Sequence, residues 1–291
     1  MRIAVTGASG FIGRYVLREL RARGVEVVAV GRSTDRLPPE SEDCERVVVD
    51  ITSPPENPFE SLGKPNVLIH LAWGGLPNYQ STHHVSTELP LQAAFLTSCI
   101  NHGLKRLVVT GTCYEYGLVS GELTEDTPPQ PCTQYGIAKD LLRQKLFALH
   151  QQFDFELAWL RLFYLFGQGQ SEKSLYSMLR AAIGRGDRTF DMSGGEQIRD
   201  FLHVHEAARL IIEIALHQGA RGIYNLCSGA PVTVRQLAQS WIDAAGSTIS
   251  MNLGRLPYSP NEPMEFWGNR RRLDVLLGSR AYQMPDSGDR P

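Results

Sequence analysis

Thr6-Gly7-Ala8-Ser9-Gly10-Phe11-Ile12-Gly13 is the stretch on which the reading of this chain turns. It follows an apolar, β-branched run at 2–6 and leads at once into a helical pattern with Ile12, Val16 and Leu20 on one face and Gly24 as its stop. Three glycines at this spacing have separate physical uses: one permits the tight turn, one lets the backbone approach a pyrophosphate, one lets the helix lie close on the strand. The start of a helix offers unpaired N–H groups and the positive end of its dipole to phosphate. A strand-to-helix turn can carry glycine for conformational reasons alone. With a strand before it and a helix after it, the stretch reads as a dinucleotide cradle made by Gly7, Ser9, Gly10, Phe11, Ile12 and Gly13.

Outward from this turn, β-branched runs at 2–6, 26–30, 46–49, 66–71, 105–110 and 157–162 alternate with amphipathic helical stretches. That rhythm predicts an α/β fold of the Rossmann type, a doubly wound parallel sheet covered by helices on both faces. Runs such as Val47, Val48 and Val49 predict strands buried on both faces at the sheet centre. After about Gly167 the alternation breaks into Gly-, Pro- and Ser-rich segments at 184–195 and 256–263 around a strong helical stretch at 204–217. The expected organisation is a dinucleotide-binding domain over 1–166 and, over 167–291, mainly a smaller substrate-binding lobe with some segments returning to the first domain. The polar, Pro-containing tail 284–291 is expected to be loosely held. No internal repeat is evident.

NAD-selective sites place an acid at the end of the second strand, where it accepts from the ribose 2′-hydroxyl; here that position reads Val30-Gly31-Arg32-Ser33. Arg32 can pair with a 2′-phosphate and Ser33 can donate to one, so NADP(H) is favoured and NAD(H) stays open. Alternatively, Arg32 is a solvated loop residue stacking on adenine. Asp50, with Ile51 after it, is either an acceptor for the adenine amino group or a cap for the turn at Ile51-Thr52.

Tyr135-Gly136-Ile137-Ala138-Lys139 places a phenol and an ammonium one helical turn apart on one face. A phenol near pKa 10 is too weak a base for alcohol–ketone interconversion at neutral pH. A neighbouring ammonium can lower it and can also reach a cofactor ribose. By itself the spacing fits a surface pair as well. At the end of the fifth strand lies Thr110-Gly111-Thr112-Cys113-Tyr114-Glu115-Tyr116-Gly117, on the edge where doubly wound sheets bind ligands.

Taken together, Gly7-x-x-Gly10-x-x-Gly13, Thr112 upstream of Tyr135-x-x-x-Lys139, and Arg199-Asp200-Phe201-Leu202-His203-Val204 resemble the extended short-chain dehydrogenase/reductases, or NAD-dependent epimerase/dehydratase family, over nearly the whole chain. The resemblance implies a nucleotide-sugar substrate, with Thr112 orienting the reacting oxygen, Tyr135 as general acid/base, and Lys139 as tuner of its pKa and ribose ligand. It implies that Arg199 contacts substrate phosphates, against the plainer reading of an ion pair with Asp200 or Glu206. Subunit pairing through a two-helix face is common in such chains, which makes a homodimer an expectation that the helices do not establish.

Departures from the family pattern narrow the chemistry. The resemblance implies an Asp-Glu pair after the strand-end Thr in 4,6-dehydratases, where this chain has Cys113-Tyr114, with Glu115 as a displaced acid of uncertain orientation. Epimerases of the family carry Asn where this chain has Tyr164, and a basic Arg-Pro-Gly-Asp segment where it has Pro257-Tyr258-Ser259-Pro260-Asn261-Glu262-Pro263. The stretches around Leu71-Ala72-Trp73 and Gly111–Gly117 look most like the reductases of nucleotide-linked 4-keto-6-deoxy sugars. Leu71, Ala72 and Trp73 would then line the cofactor, and Trp73, Tyr79, Thr112, Cys113, Tyr114, Tyr164 and Arg199 the substrate. The expected activity is NADPH-dependent reduction of the 4-keto group; a 4-epimerase with tightly bound NAD is second, and a non-catalytic NADP-binding regulatory protein is a remote third.

Bulk composition excludes other classes. With 29 basic against 31 acidic residues and no long run of either sign, no nucleic-acid partner is expected. Five cysteines, Cys44, Cys99, Cys113, Cys132 and Cys227, include no CxxC pair, so neither a disulfide framework nor a metal site is expected. No leader and no membrane span is expected, which points to the cytoplasm.

Overall fold

β-Branched and apolar runs form the strands and the amphipathic stretches between them the helices, in the computed structural model, which describes residues 1–260 and 262–278. The first half runs β1 (Arg2–Thr6), α1 (Phe11–Ala22), β2 (Glu26–Gly31), β3 (Glu45–Val48), α2 (Pro58–Ser61), β4 (Val67–His70), α3 (Leu89–Asn101), β5 (Arg106–Thr112), β6 (Gly121–Leu123) and α4 (Gln134–His150). It continues through β7 (Glu156–Leu162), β8 (Tyr164–Phe166), α5 (Leu175–Arg185), β9 (Thr189–Asp191), β10 (Ile198–His203), α6 (Val204–Leu216) and β11 (Gly222–Leu226). The last elements are β12 (Pro231–Thr233), α7 (Val234–Ala244), β13 (Ser250–Asn252), β14 (Phe266–Gly268) and α8 (Arg271–Leu277). The expected loose tail at 284–291 lies outside the described residues.

Seven strands pair in parallel in the order β11-β7-β5-β4-β1-β2-β3. From β1 the chain builds outward to β3, then returns to the other side of β1 as β4. The turns leaving β1 and β4 therefore diverge, and this Rossmann-type switch point opens a crevice at the carboxyl ends of the strands. Alternation along each strand feeds two cores. Ile3, Val5, Val108 and Leu160 face α1 and α6, whereas Ala4, Leu107, Val109 and Trp159 face α3 and α4.

One expectation fails here. The run Val47-Val48-Val49 is not central: β3 is an edge strand and Val48 is 55% exposed. Three consecutive valines favour a strand, but the number of neighbours that strand acquires is set by its place in the sheet order. Beyond 167, α6 and β11 join the large sheet and its helical layer, while α5, α7, β9 and β13 enclose a separate core of Leu179, Phe190, Met192 and Ile242. The three-stranded sheet β12-β10-β8 and the pair β14-β6 lie between these parts.

Candidate active site

In the turn from β1 to α1, Gly7 has φ +70°, and a Cβ on it would stand 2.8 Å from the backbone nitrogen of Ala72. A Cβ on Gly13 would collide with the Gly7 carbonyl and lie 2.8 Å from Ala8. Gly10 precedes α1 and no side chain caps that helix. Its leading end is therefore open, as a pyrophosphate cradle requires, with Leu71 and Ala72 across from Gly7.

At the end of β2, Arg32 is exposed and makes no hydrogen bond or ion pair among the described residues. Ser33 begins the turn Thr34–Arg36 without capping it, leaving its hydroxyl uncommitted there. Asp50 takes the capping role: its Oδ1 accepts from the Thr52 N–H at 2.9 Å and the Thr52 hydroxyl at 2.8 Å. Those two bonds, and more weakly Arg32, hold its carboxyl below the usual range.

Thr112, Tyr135 and Lys139 are brought together at the carboxyl end of β5. Thr133 caps α4 by accepting from the Gly136 N–H at 3.0 Å, and a Cβ on Gly136 would lie 2.6 Å from the Tyr114 carbonyl. This close approach brings Tyr135 beside the Thr112 side chain. Lys139 Nζ donates to the Thr110 carbonyl at 2.8 Å and lies 4.0 Å above the Trp73 ring. Burial pulls this amine down to about 7, against Glu115 and Glu88.

The expected lowering of the Tyr135 phenol does not appear in this arrangement. Burial raises it, reinforced by Tyr79, Glu115 and Cys113, and the Thr112 side chain opposes. Lys139 Nζ is 5.9 Å from the centre of the Tyr135 ring and is directed at Thr110 and Trp73 instead.

Glu115 is not a displaced active-site acid. It lies in the core, accepting from the Thr112 N–H at 2.9 Å, Trp159 Nε1 at 3.0 Å and Arg161 Nε at 2.8 Å. Its ion pair with Arg161 is buried on both sides, so separating the partners would strand a charge.

Aromatic rings line the other side of the crevice. Tyr79 stands 5.0 Å from Tyr114 and 5.6 Å from Tyr135, centre to centre, and Trp73 meets Tyr135 edge-on at 6.0 Å. Cys113 is buried in a cluster with Tyr116, Phe163 and Phe266, and Tyr164 packs against Phe201 and Phe266. Arg199 pairs with neither of the acids considered from sequence. Asp200 accepts from the N–H groups of Ser228 and Gly229, and Glu206 binds Arg209. Instead Arg199 meets Glu262 at 3.1 Å, donates to the carbonyls of Ile198 and Met264, and lies over the Phe266 ring. Tyr114 donates to the same carboxylate at 2.7 Å.

The profile of the NAD dependent epimerase/dehydratase family matches residues 3–227. The chain belongs to this family. It is 31% identical over 272 residues, 92% of this chain and 99% of the relative, to dTDP-6-deoxy-L-talose 4-dehydrogenase (NAD(+)) of Aggregatibacter actinomycetemcomitans. A second relative, dTDP-6-deoxy-L-talose 4-dehydrogenase (NAD(P)(+)) of Kitasatospora kifunensis, is 26% identical over 84% of this chain and 79% of its own. Among solved structures, MoeE5 in complex with UDP-glucuronic acid and NAD superposes with a TM-score of 0.82 at 25% identity, covering 99% of this chain and 96% of that one.

Two acids of this epimerase/dehydratase chain escaped the sequence reading as site residues. Glu262 lay inside the segment recognised as a departure, yet nothing local tied it to Arg199, 63 positions earlier. Glu88 precedes α3 with no motif around it, and its place beside the crevice follows from the turn leaving β4.

Proposed function

We propose that this chain uses NADPH to reduce the 4-keto group of a nucleoside-diphosphate-linked 4-keto-6-deoxyhexose. The observation that carries this reading is that Thr112 and Tyr135 stand together at the crevice while the carboxylates near them are engaged elsewhere. Glu115 is held by Arg161 and Trp159, and Glu262 by Arg199 and Tyr114. A dehydratase needs a free acid to move protons at the sugar, whereas ketone reduction needs one proton donor and a support for the oxygen. The names of two relatives, both 4-dehydrogenases of a nucleotide-linked 6-deoxytalose, favour the same class, because dehydrogenation at C4 run backwards is 4-keto reduction.

The dinucleotide supplies the hydride in this reading. Gly7, Ser9, Gly10, Phe11, Ile12 and Gly13 would hold its pyrophosphate, with Asp50 and Ile51 at the adenine and Leu71, Ala72, Trp73 and Lys139 at the nicotinamide half. Tyr135 gives its phenolic proton to the ketone oxygen, which Thr112 holds in place. Lys139 as an ammonium balances the charge left on the phenolate. Trp73, Tyr79, Tyr114 and Tyr164 shield the sugar from water, with Cys113 at the base, and Arg199 anchors phosphate by its planar fork. The choice of NADPH rests on Arg32 and Ser33, where no acid would repel a 2′-phosphate; the relatives' names, with NAD(+) and NAD(P)(+), leave either dinucleotide open to the assay.

Following NADPH and NADH absorbance with a panel of nucleotide-linked 4-keto-6-deoxy sugars tests this. Oxidation of one equivalent per sugar reduced is expected, faster with NADPH. No consumption with any sugar, together with interconversion of two 4-epimeric hexoses, would replace reduction by epimerisation.

A further inference from the structure

Two glycines make room for buried carboxylates near Lys139. A Cβ on Gly111 would run into Glu115, and a Cβ on Gly74 would run into Glu88. The two acids differ in what neutralises them. Glu115 has the Arg161 guanidinium, and Arg143 approaches it at 4.0 Å. Glu88 accepts from Gln92 Nε2 at 2.9 Å, stands where a Cβ on Gly74 would be, and meets His83, at 3.2 Å, on its solvent side. Burial pushes the Glu88 carboxyl up, but Gln92, the Gly74 backbone and His83 outweigh it and keep it ionised.

An ionised carboxylate only accepts, so Glu88 also orders the protons behind it. Gln92 must turn its amide N–H groups to Glu88 and its oxygen to His70 Nε2 at 2.8 Å. His70 Nε2 then carries the proton, and Nδ1 accepts from the Thr6 hydroxyl at 2.9 Å, directly before the glycine turn.

We propose that Glu88 is a positioning residue for the reacting pair: its carboxylate seats the turn at Gly74 that lays Trp73 against Lys139, and sets a negative charge behind that turn. The inference rests on reading Tyr135 and Lys139 as that pair. Lys139 makes no ion pair among the described residues, so its charge depends on groups at longer range. Facing it are the Thr110 carbonyl and Glu115 from the β5 side, and His70 and Trp73 from β4 and the turn after it. The turn His84–Glu88 adds Glu88 and His84, the latter accepting from Trp73 Nε1 at 3.1 Å, and α4 itself adds Tyr135. Of the two carboxylates, Glu88 is the one without a guanidinium of its own.

The chain holds only five lysines, Lys64, Lys105, Lys139, Lys145 and Lys173, so an NMR titration of ¹³C-labelled lysine side chains can follow Lys139 without substrate or cofactor, with Lys139→Arg assigning its signal. In Glu88→Gln the Lys139 midpoint should fall by about one pH unit, and in Glu88→Asp, which keeps the charge, by clearly less. The other four lysines should not move. An unchanged midpoint in Glu88→Gln, or equal falls in both variants, overturns the proposal. Should Glu88→Gln not fold, Glu88→Asp decides alone, because withdrawing the charge by one methylene must still lower the midpoint. Failure of the reductase reading would leave this titration untouched.

Discussion

On one wall of the crevice the turn between β1 and α1 leaves a helix end uncapped, while on the facing wall Arg199 already holds a carboxylate, Glu262, and Tyr114 shares it. The first wall is made of backbone and defined by what a Cβ would obstruct. The second is made of side chains from β10, the turn after β5 and the segment before β14, each complete only in the presence of the others. A backbone cradle tolerates any sequence that keeps its glycines. A side-chain cluster changes shape and charge with each substitution.

The largest test falls where the walls meet. Tyr135→Phe should lower turnover by about 10³-fold or more while leaving dinucleotide binding unchanged in a fluorescence titration, since only the proton donor is lost. Retained turnover would detach the chemistry from the backbone wall altogether.

Second in size is an acid sensitivity beneath that wall. His70 is held down to about 3 by burial and then by Lys139, against an ordinary value of 6.5. As pH drops through 6.5 the unfolded chain takes up a proton that the folded one refuses until about 3. Stability is therefore present above 6.5 and lost on the way down, by a few kcal/mol. Urea midpoints measured between pH 7 and 4 should fall more steeply for the wild type than for His70→Gln; parallel curves would remove His70 as the cause.

Arg199→Leu probes the facing wall. The KM for the nucleotide sugar should rise about 10- to 100-fold with a smaller change in kcat, as expected for lost charge-assisted hydrogen bonds to phosphate. A fall in kcat at unchanged KM would mean that the Glu262 pair serves only to shape the pocket. The smallest effect is expected at Arg32, the one side chain proposed to add specificity to the backbone wall. Arg32→Ala should reduce the preference for NADPH over NADH about tenfold. An unaltered ratio would leave Arg32 a solvated loop residue.

Legibility follows the same division. Gly7, Gly10 and Gly13, and the pair Tyr135 and Lys139, lie within one turn or one helix face, where spacing alone implies geometry. Asp50 could be read two ways, and the cap at Thr52 emerged because both its donors are two residues away. Glu115 could not be oriented from Tyr114-Glu115-Tyr116, because its direction is fixed by Trp159 and Arg161 on β7, more than 40 positions later. The valines of β3 misled for a related reason: propensity identifies a strand but carries no information on whether a neighbour covers it.

The sequence by itself determined the sheet-and-helix rhythm, the glycine turn before α1 and the placing of Tyr135 and Lys139 on one helix, since each depends on contacts within a few residues and on steric limits that every chain obeys. Only the tertiary structure decided that Glu115 belongs to the core, that Glu262 meets Arg199, that Glu88 stands beyond Gly74 near Lys139, and that burial governs both Tyr135 and Lys139. Charge and solvation act through space, and the distances that set them arise when segments remote in the chain close around one crevice.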